Sequence, residues 1–233
     1  MEGKAMHRVI LFCILLMPGT PAMASIVDSR AFINEFHYDN VGGDRMEFIE
    51  LLCPTNWPEK ELLSLTLYNG SSGRTYGGPF AYDRFTLGEE VNGYQVLTLN
   101  VAMQNGAPDG FALARGTAVL QFLSYEGAFL ASNGVAAGLT STDVEVLEES
   151  STPLGVSLQL AGQGDSYLDF AWQAPVPHSR GLVNDQQSIG NVNAVPEPMS
   201  AYVWSGLGLL AVIMWYMSRS RRAAVGTVSA APG

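Results

Sequence analysis

Cysteine is nearly missing from this sequence: Cys13 and Cys53 are the two present. Cys13 lies in an N-terminal apolar run with the form of a secretory signal, so Cys53 is left alone in the exported body and an intramolecular disulfide is excluded. Its setting, Leu51-Leu52-Cys53-Pro54, closes an apolar strand and points to a buried, inert thiol. Cations are scarce too, 12 Lys and Arg against 22 Asp and Glu, for a formal net charge of -10. A body this acidic has no face with which to neutralise phosphates, which excludes nucleic acid as a partner. The acidity suits solubility outside the cell and leaves cation binding open. Histidine is rare, with only His37 and His178 beyond the signal. The sequence holds no P-loop, no Gly-x-Ser-x-Gly elbow and no His-Glu-x-x-His. No sustained helical stripe runs through its middle, so strands are the expected element.

What is present is clearest at the two ends. Lys4 and Arg8 precede an unbroken apolar run over 9–17, then Pro18, Gly19 and Pro21 stop any helix, and Ala22-Met23-Ala24 supplies a small-x-small cleavage pattern. Nine apolar residues are too few to span a bilayer, and the three parts together read as a cleaved signal peptide over 1–24. At the other end, 201–217 is apolar and uncharged. With Met199 and Ser200 it would rise about 28 Å as a helix, close to the hydrocarbon thickness of a membrane. Tyr202, Trp204, Trp215 and Tyr216 sit near its ends, as interfacial aromatic belts do. Arg219, Arg221 and Arg222 follow and set the topology, with the tail inside and the body outside.

Pro196-Glu197-Pro198 stands directly before this span. The triplet, the apolar run and the Arg-rich tail, in that order, resemble the PEP-CTERM sorting signal of Gram-negative bacteria. The resemblance implies an exosortase-type processing enzyme as partner, with Pro196, Glu197 and Pro198 as the recognised motif. It implies anchoring in the inner membrane with the body in the periplasm, then a place at the cell surface or outside the cell. The tail beyond Ala223 runs past the usual Arg-rich end.

Between the ends, strand signals recur over 31–38, 47–52, 63–68, 94–99, 110–113, 118–125, 157–160 and 170–172. Turn residues separate them, among them Asn69-Gly70 and Arg115-Gly116. Short strands punctuated in this way indicate a sandwich or barrel. Residues 133–151 read as a long loop with little to fill a core, and 175–195 as a linker toward the membrane signal. The organisation is thus a signal peptide at 1–24, one domain at 25–185, a linker with the Pro-Glu-Pro motif at 186–198, a transmembrane helix at 199–218 and a tail at 219–233.

The chemistry on offer is modest. Asp39, Asn40 and Asp44, with Glu47 nearby, place hard oxygen ligands around flexible glycines, the donor type calcium takes. Their spacing matches no EF-hand, and an ordinary turn whose Asp and Asn cap their own backbone accounts for the same residues. Glu35, Glu47 and Glu50 lie among apolar strand residues and must face solvent, pair (Arg30 and Arg45 being the nearby cations) or shift in pKa. A paired-carboxylate hydrolase is conceivable, but nothing in the sequence orients a substrate. His37 sits in a strand with no named catalytic partner and reads as structural.

The blocks Ile33-Asn34-Glu35-Phe36-His37-Tyr38-Asp39-Asn40 and Glu47-Phe48-Ile49-Glu50 resemble the opening of the lamin tail domain family. So do Leu65-Thr66-Leu67-Tyr68-Asn69-Gly70, Asn105-Gly106-Ala107-Pro108-Asp109-Gly110 and Gln121-Phe122-Leu123-Ser124-Tyr125. That resemblance implies an all-β, immunoglobulin-like β-sandwich and a non-catalytic, exported domain. Such a domain would bind or build at the cell surface or in an extracellular matrix, with polysaccharide or other surface proteins as partners and no cofactor. The alternatives are a metal-dependent hydrolase using the acidic loop, or a permanent single-pass membrane protein. Sequencing the exported form should begin at Ser25; an intact Met1 there contradicts the signal peptide.

Overall fold

The computed structural model describes residues 22–23 and 30–190. In chain order its strands begin with β1 (Ala22–Met23), β2 (Phe32–His37), β3 (Phe48–Pro54), β4 (Leu63–Asn69) and β5 (Arg74–Ala81). Next come β6 (Thr86–Val91), β7 (Tyr94–Asn100), β8 (Asp109–Arg115), β9 (Ala118–Tyr125) and β10 (Leu139–Thr140). The last are β11 (Thr142–Asp143), β12 (Val156–Gly164), β13 (Phe170–Pro177) and β14 (Gln187–Ile189). Helix among the described residues is limited to three single 3-10 turns, so the fold is all-β. None of the described helices is long and apolar enough to cross a membrane. The expected span at 199–218, and most of the expected signal peptide, lie outside the described residues. Ala22–Met23, within that expected signal, pairs in parallel with β10.

Two sheets face each other. One has the order β13-β12-β2-β3-β7-β6, with β14 added to β12; the other runs β11-β9-β8-β4-β5. Alternation along the strands decides what lies between them. Ile33, Phe36, Ile49, Leu51, Leu97 and Leu99 from the first sheet meet Leu65, Leu67, Phe111, Leu113, Leu123 and Tyr125 from the second in one buried core. Cys53 belongs to this core and is 1% exposed, as its apolar neighbours lead one to expect. Phe36 is a hub, with ring centroids 5.0 Å from Phe111 and 5.2 Å from Trp172, both edge-on. Burial of one such ring contributes about 1.5–3 kcal/mol.

Each outer sheet face is covered as well. On the five-stranded sheet, Tyr68, Ala112 and Phe122 are buried under Phe129, Ala131 and Ala136. On the seven-stranded sheet, Phe32, Leu52, Tyr94, Val96 and Leu160 are buried with Ile189. One expectation is corrected here. Residues 133–151, read as a loop with little to bury, bring Ala136, Ser141, Val144 and Glu148 to burial. Small side chains suffice because they fill shallow space over a sheet already packed on its other face. Strand pairing also runs into the stretch read as a linker over 175–195. β13 runs to Pro177, and the strap at 178–190 ends in β14, paired with Gly162, Gln163 and Gly164 of β12.

Two strands that the sequence did not signal, β5 and β6, are edge strands. β5 carries Gly77-Gly78-Pro79 and β6 carries Glu89-Glu90, and both are largely solvent-facing. Pro, Gly and charge at an edge erase the alternation that marks a strand, and they also discourage pairing with other chains. Asn92-Gly93 joins β6 to β7 with φ of 48° and 82°, the left-handed pair that a two-residue hairpin requires.

A polar pin crosses the core. A register shift in β2 between Ile33 and Glu35 turns the Ile33 amide away from its ladder, and Gln121 Oε1 on β9 accepts it at 2.7 Å. Replacing Gln121 by Leu keeps the volume and strands a buried N–H. Urea unfolding should show a loss of about 1–3 kcal/mol, and an unchanged midpoint would contradict the role given to this bond.

Candidate functional site

The same register shift lets two successive β2 side chains, Asn34 and Glu35, reach the outer face of the seven-stranded sheet. Glu35 stands directly opposite Glu50 of β3 in the ladder. Both are 0% exposed. Two adjacent buried carboxylates are costly unless donors surround them, and donors do. Glu35 accepts from Ser157 Oγ at 2.6 Å, Gln159 Nε2 at 3.2 Å, Ser179 N at 3.0 Å and Ser179 Oγ at 2.9 Å. Glu50 accepts from Gly181 N at 2.7 Å, Thr98 Oγ1 at 3.1 Å and Asn34 Nδ2 at 3.4 Å. These donors are hydroxyls, amides and backbone N–H groups, not the Arg30 and Arg45 guanidiniums that the sequence suggested.

Asn184 closes the cluster. Its Nδ2 donates to Leu160 O and Asn34 O, and its Oδ1 accepts from Ser179 Oγ and Asn34 Nδ2. Gln187 Nε2 donates to Asn34 Oδ1 at 2.7 Å. Burial raises the pKa of Glu35 above its ordinary 4.5, against the pull of its Ser157 and Ser179 hydrogen bonds. Glu50 is pushed up to about 8, first by burial and then by the charge of Glu35. The pair therefore holds a proton that two exposed carboxyls would have lost, and titrates as a unit.

At one end of the sandwich, a second cluster organises the 39–44 loop. Glu148 is 1% exposed; its Oε1 lies 2.8 Å from His37 Nδ1, while its Oε2 accepts from the backbone N–H groups of Tyr38 at 2.7 Å and Asp39 at 3.0 Å. The Tyr38 hydroxyl accepts from Glu148 N and donates to Glu126 Oε1. For His37, burial lowers the pKa, but the hydrogen bond and charge of Glu148, with Asn40 beside it, outweigh burial and raise it above 6.5. His37 is buried, with Nδ1 against Glu148 and Nε2 against Asn40 Oδ1 at 3.2 Å.

The residues offered for calcium are brought to this end, with Asp39 and Asn40 buried, Glu47 half-buried and Asp44 exposed. Asn40 Oδ1 accepts from Arg45 N, and its Nδ2 donates to Val41 O and Gly43 O, so this side chain builds the turn. Asp44 Oδ2 accepts from Asn105 Nδ2, and Glu47 Oε1 from Met103 N. Among the described residues, no group of three or more His, Cys, Asp or Glu side chains is arranged to hold a metal ion. Pro196, Glu197, Pro198, Arg219, Arg221 and Arg222 lie outside the described residues.

Sequence reasoning missed Glu148, Asn184 and the Ser179–Gly181 turn. Their role depends on contacts more than a hundred residues away in the chain. The available signal was a run of Ser, Gly and Asn with the donors that buried carboxylates need. No family model, no curated protein and no solved structure matches the chain.

The raised His37 pKa fixes a sign. Stability from its pairing with Glu148 is fully present below 6.5 and is lost as pH rises through the folded-state value. Glu148→Gln should therefore bring the imidazole titration, followed by NMR, back toward its ordinary range, and should cost more stability at acid than at alkaline pH. An unmoved imidazole titration would contradict the pairing.

Proposed function

We propose that the chain is a non-catalytic, exported domain of the lamin-tail, immunoglobulin-like type, sorted through its PEP-CTERM-like signal to the cell surface or an extracellular matrix. There it binds or builds, with surface polysaccharide or other surface proteins as partners. One observation carries the non-catalytic half. Of the carboxylates that the sequence offered for chemistry, Glu35 and Glu50 are sealed from solvent and accept from strands and the strap, and Glu47 is half-buried and accepts from Met103 N. A general acid or base must reach a substrate proton, and the two sealed groups reach only the protein. The rival metal-dependent hydrolase needs acidic-loop oxygens open to an ion. Asn40 Oδ1, Asp44 Oδ2 and Glu47 Oε1 each already accept a hydrogen bond. Two facing sheets around one core support the sandwich type.

The sorting half rests on Pro196-Glu197-Pro198. Membrane insertion needs only the apolar run, and orientation only the arginines. Nothing in membrane physics calls for a glutamate between prolines, so recognition is its better account. In a host with an active exosortase, Glu197→Ala should leave insertion and topology intact and block release, with full-length protein accumulating in the inner membrane. The mass of the recovered protein reads this out. Unmodified protein that stays uncut in the same host overturns the sorting reading in favour of a permanent single-pass anchor.

A further inference from the structure

The strap at 178–190 crosses the outer face of the seven-stranded sheet, where His178 N, Gly181 O and the Asn184 side chain bond to Gly155, Glu89, Leu160 and Asn34, and where carboxylates take a further set of its donors. Three of its backbone amides end on them: Ser179 N on Glu35 at 3.0 Å, Gly181 N on Glu50 at 2.7 Å and Val183 N on Glu89 at 2.9 Å. Apolar cover from this stretch comes from Val183, half-buried against the outer-face cluster, while Leu182 is 58% exposed; a second apolar anchor, Ile189, lies further along. A cavity lies close on each side. Gln159, a donor to Glu35, lines a cavity of about 120 Å³, and Thr98 and Gly181, both donors to Glu50, line another of about 240 Å³. Lifting the 178–184 stretch therefore merges two existing clefts over the carboxylates and needs no change in the inter-sheet core.

We propose that the Glu35–Glu50 pair is a pH-controlled latch for this strap, docked while the pair keeps a proton and released as the pair loses it. The physical cycle is closed. Docked, the two carboxyls are dry and face each other, and full ionisation would set two like charges side by side without water. Undocked, each is hydrated and gives its proton to solvent at an ordinary pKa. Opening thus releases a proton, and by linkage it becomes easier as pH rises between 4.5 and about 8, the ordinary and docked values for Glu50.

The charged groups around the latch are consistent with this assignment. β2 supplies Glu35, and also His37, which is turned to Glu148; β3 supplies Glu50 and β6 supplies Glu89. β7 and β12 contribute uncharged Thr98, Ser157 and Gln159. The strap itself brings His178, Arg180 and Asp185. The Arg180 guanidinium lies 5.0 Å from the Phe48 ring centroid, with Arg180 also lining the cavity that Thr98 and Gly181 border, and the His178 ring packs edge-on to the same Phe48 ring. The far end of the strap is fixed separately, by β14 on β12 and by Asn92 Nδ2 donating to Ile189 O at 2.6 Å. Release therefore frees a stretch near 178–184 and leaves the end that leads toward residue 191 attached.

Hydrogen exchange on the full chain in detergent micelles, read by mass spectrometry and corrected for the intrinsic pH dependence of exchange, tests this. From about pH 6 to about pH 8, protection over 178–184 should fall by up to about tenfold per pH unit, while β4 and β8 keep theirs. Glu50→Gln should keep the strap docked and remove the slope. Ser179→Ala removes the hydroxyl donor to Glu35 and leaves the backbone N–H and both carboxyls in place, so it should lower strap protection at every pH and keep the slope. Flat protection in the unmodified chain overturns the latch. So does a loss shared equally by β4 and β8, an unaltered slope in Glu50→Gln, or unaltered strap protection in Ser179→Ala.

Discussion

Two carboxylates placed opposite each other in the middle of a sheet, both out of water, are the constraint around which this molecule is arranged. A buried carboxylate needs donors, and two side by side need a shared proton or a dense set of donors. β2 and β3 bring Glu35 and Glu50 together, and their own ladder bonds leave nothing to give. Apart from the Asn34 side chain of β2, the donors come from β7, β12 and above all the strap after β13. A stretch of Ser, Gly and Asn with little hydrophobic content is thereby drawn into the fold.

The consequences spread outward. With the strap in place, the outer face of the seven-stranded sheet is closed, and Phe32, Leu52 and Val96 are buried on a side that would otherwise meet water. The 126–141 segment does the same for the other sheet with alanines and Phe129. At one end, Glu148 repeats the principle on a smaller scale, taking one imidazole and two backbone amides and so setting the 39–44 loop. In both clusters acidity is spent on architecture.

Much of the fold was legible in the sequence. The strands β2, β3, β4, β7, β8 and β9 announced themselves because aromatic and branched residues recur between Gly and Asn turns. Their inner and outer faces followed from alternation once two sheets were granted. The edge strands β5 and β6 were not legible, because Gly-Gly-Pro and Glu-Glu are what an edge uses to stay unpaired, and the same residues are the ordinary marks of a loop. β14 was missed for another reason. Three residues in a polar stretch carry no periodicity, and they become a strand only because β12 extends far enough to receive them.

The candidate site divides along the same line. By itself the sequence determined that Glu35 and Glu50 lie in strands whose neighbours are apolar, so that they had to face solvent, pair or shift in pKa. It also determined that Cys53 stands at the end of an apolar strand. Only the tertiary structure decided that the two glutamates are register partners, that both are dry, and that Ser179, Gly181 and Asn184 are what they hold. The reason is the range of the interactions. Alternation and turn chemistry act over a few residues and can be read along the chain, whereas a donor found 131 residues from its acceptor is set by how two sheets and a strap close on one another.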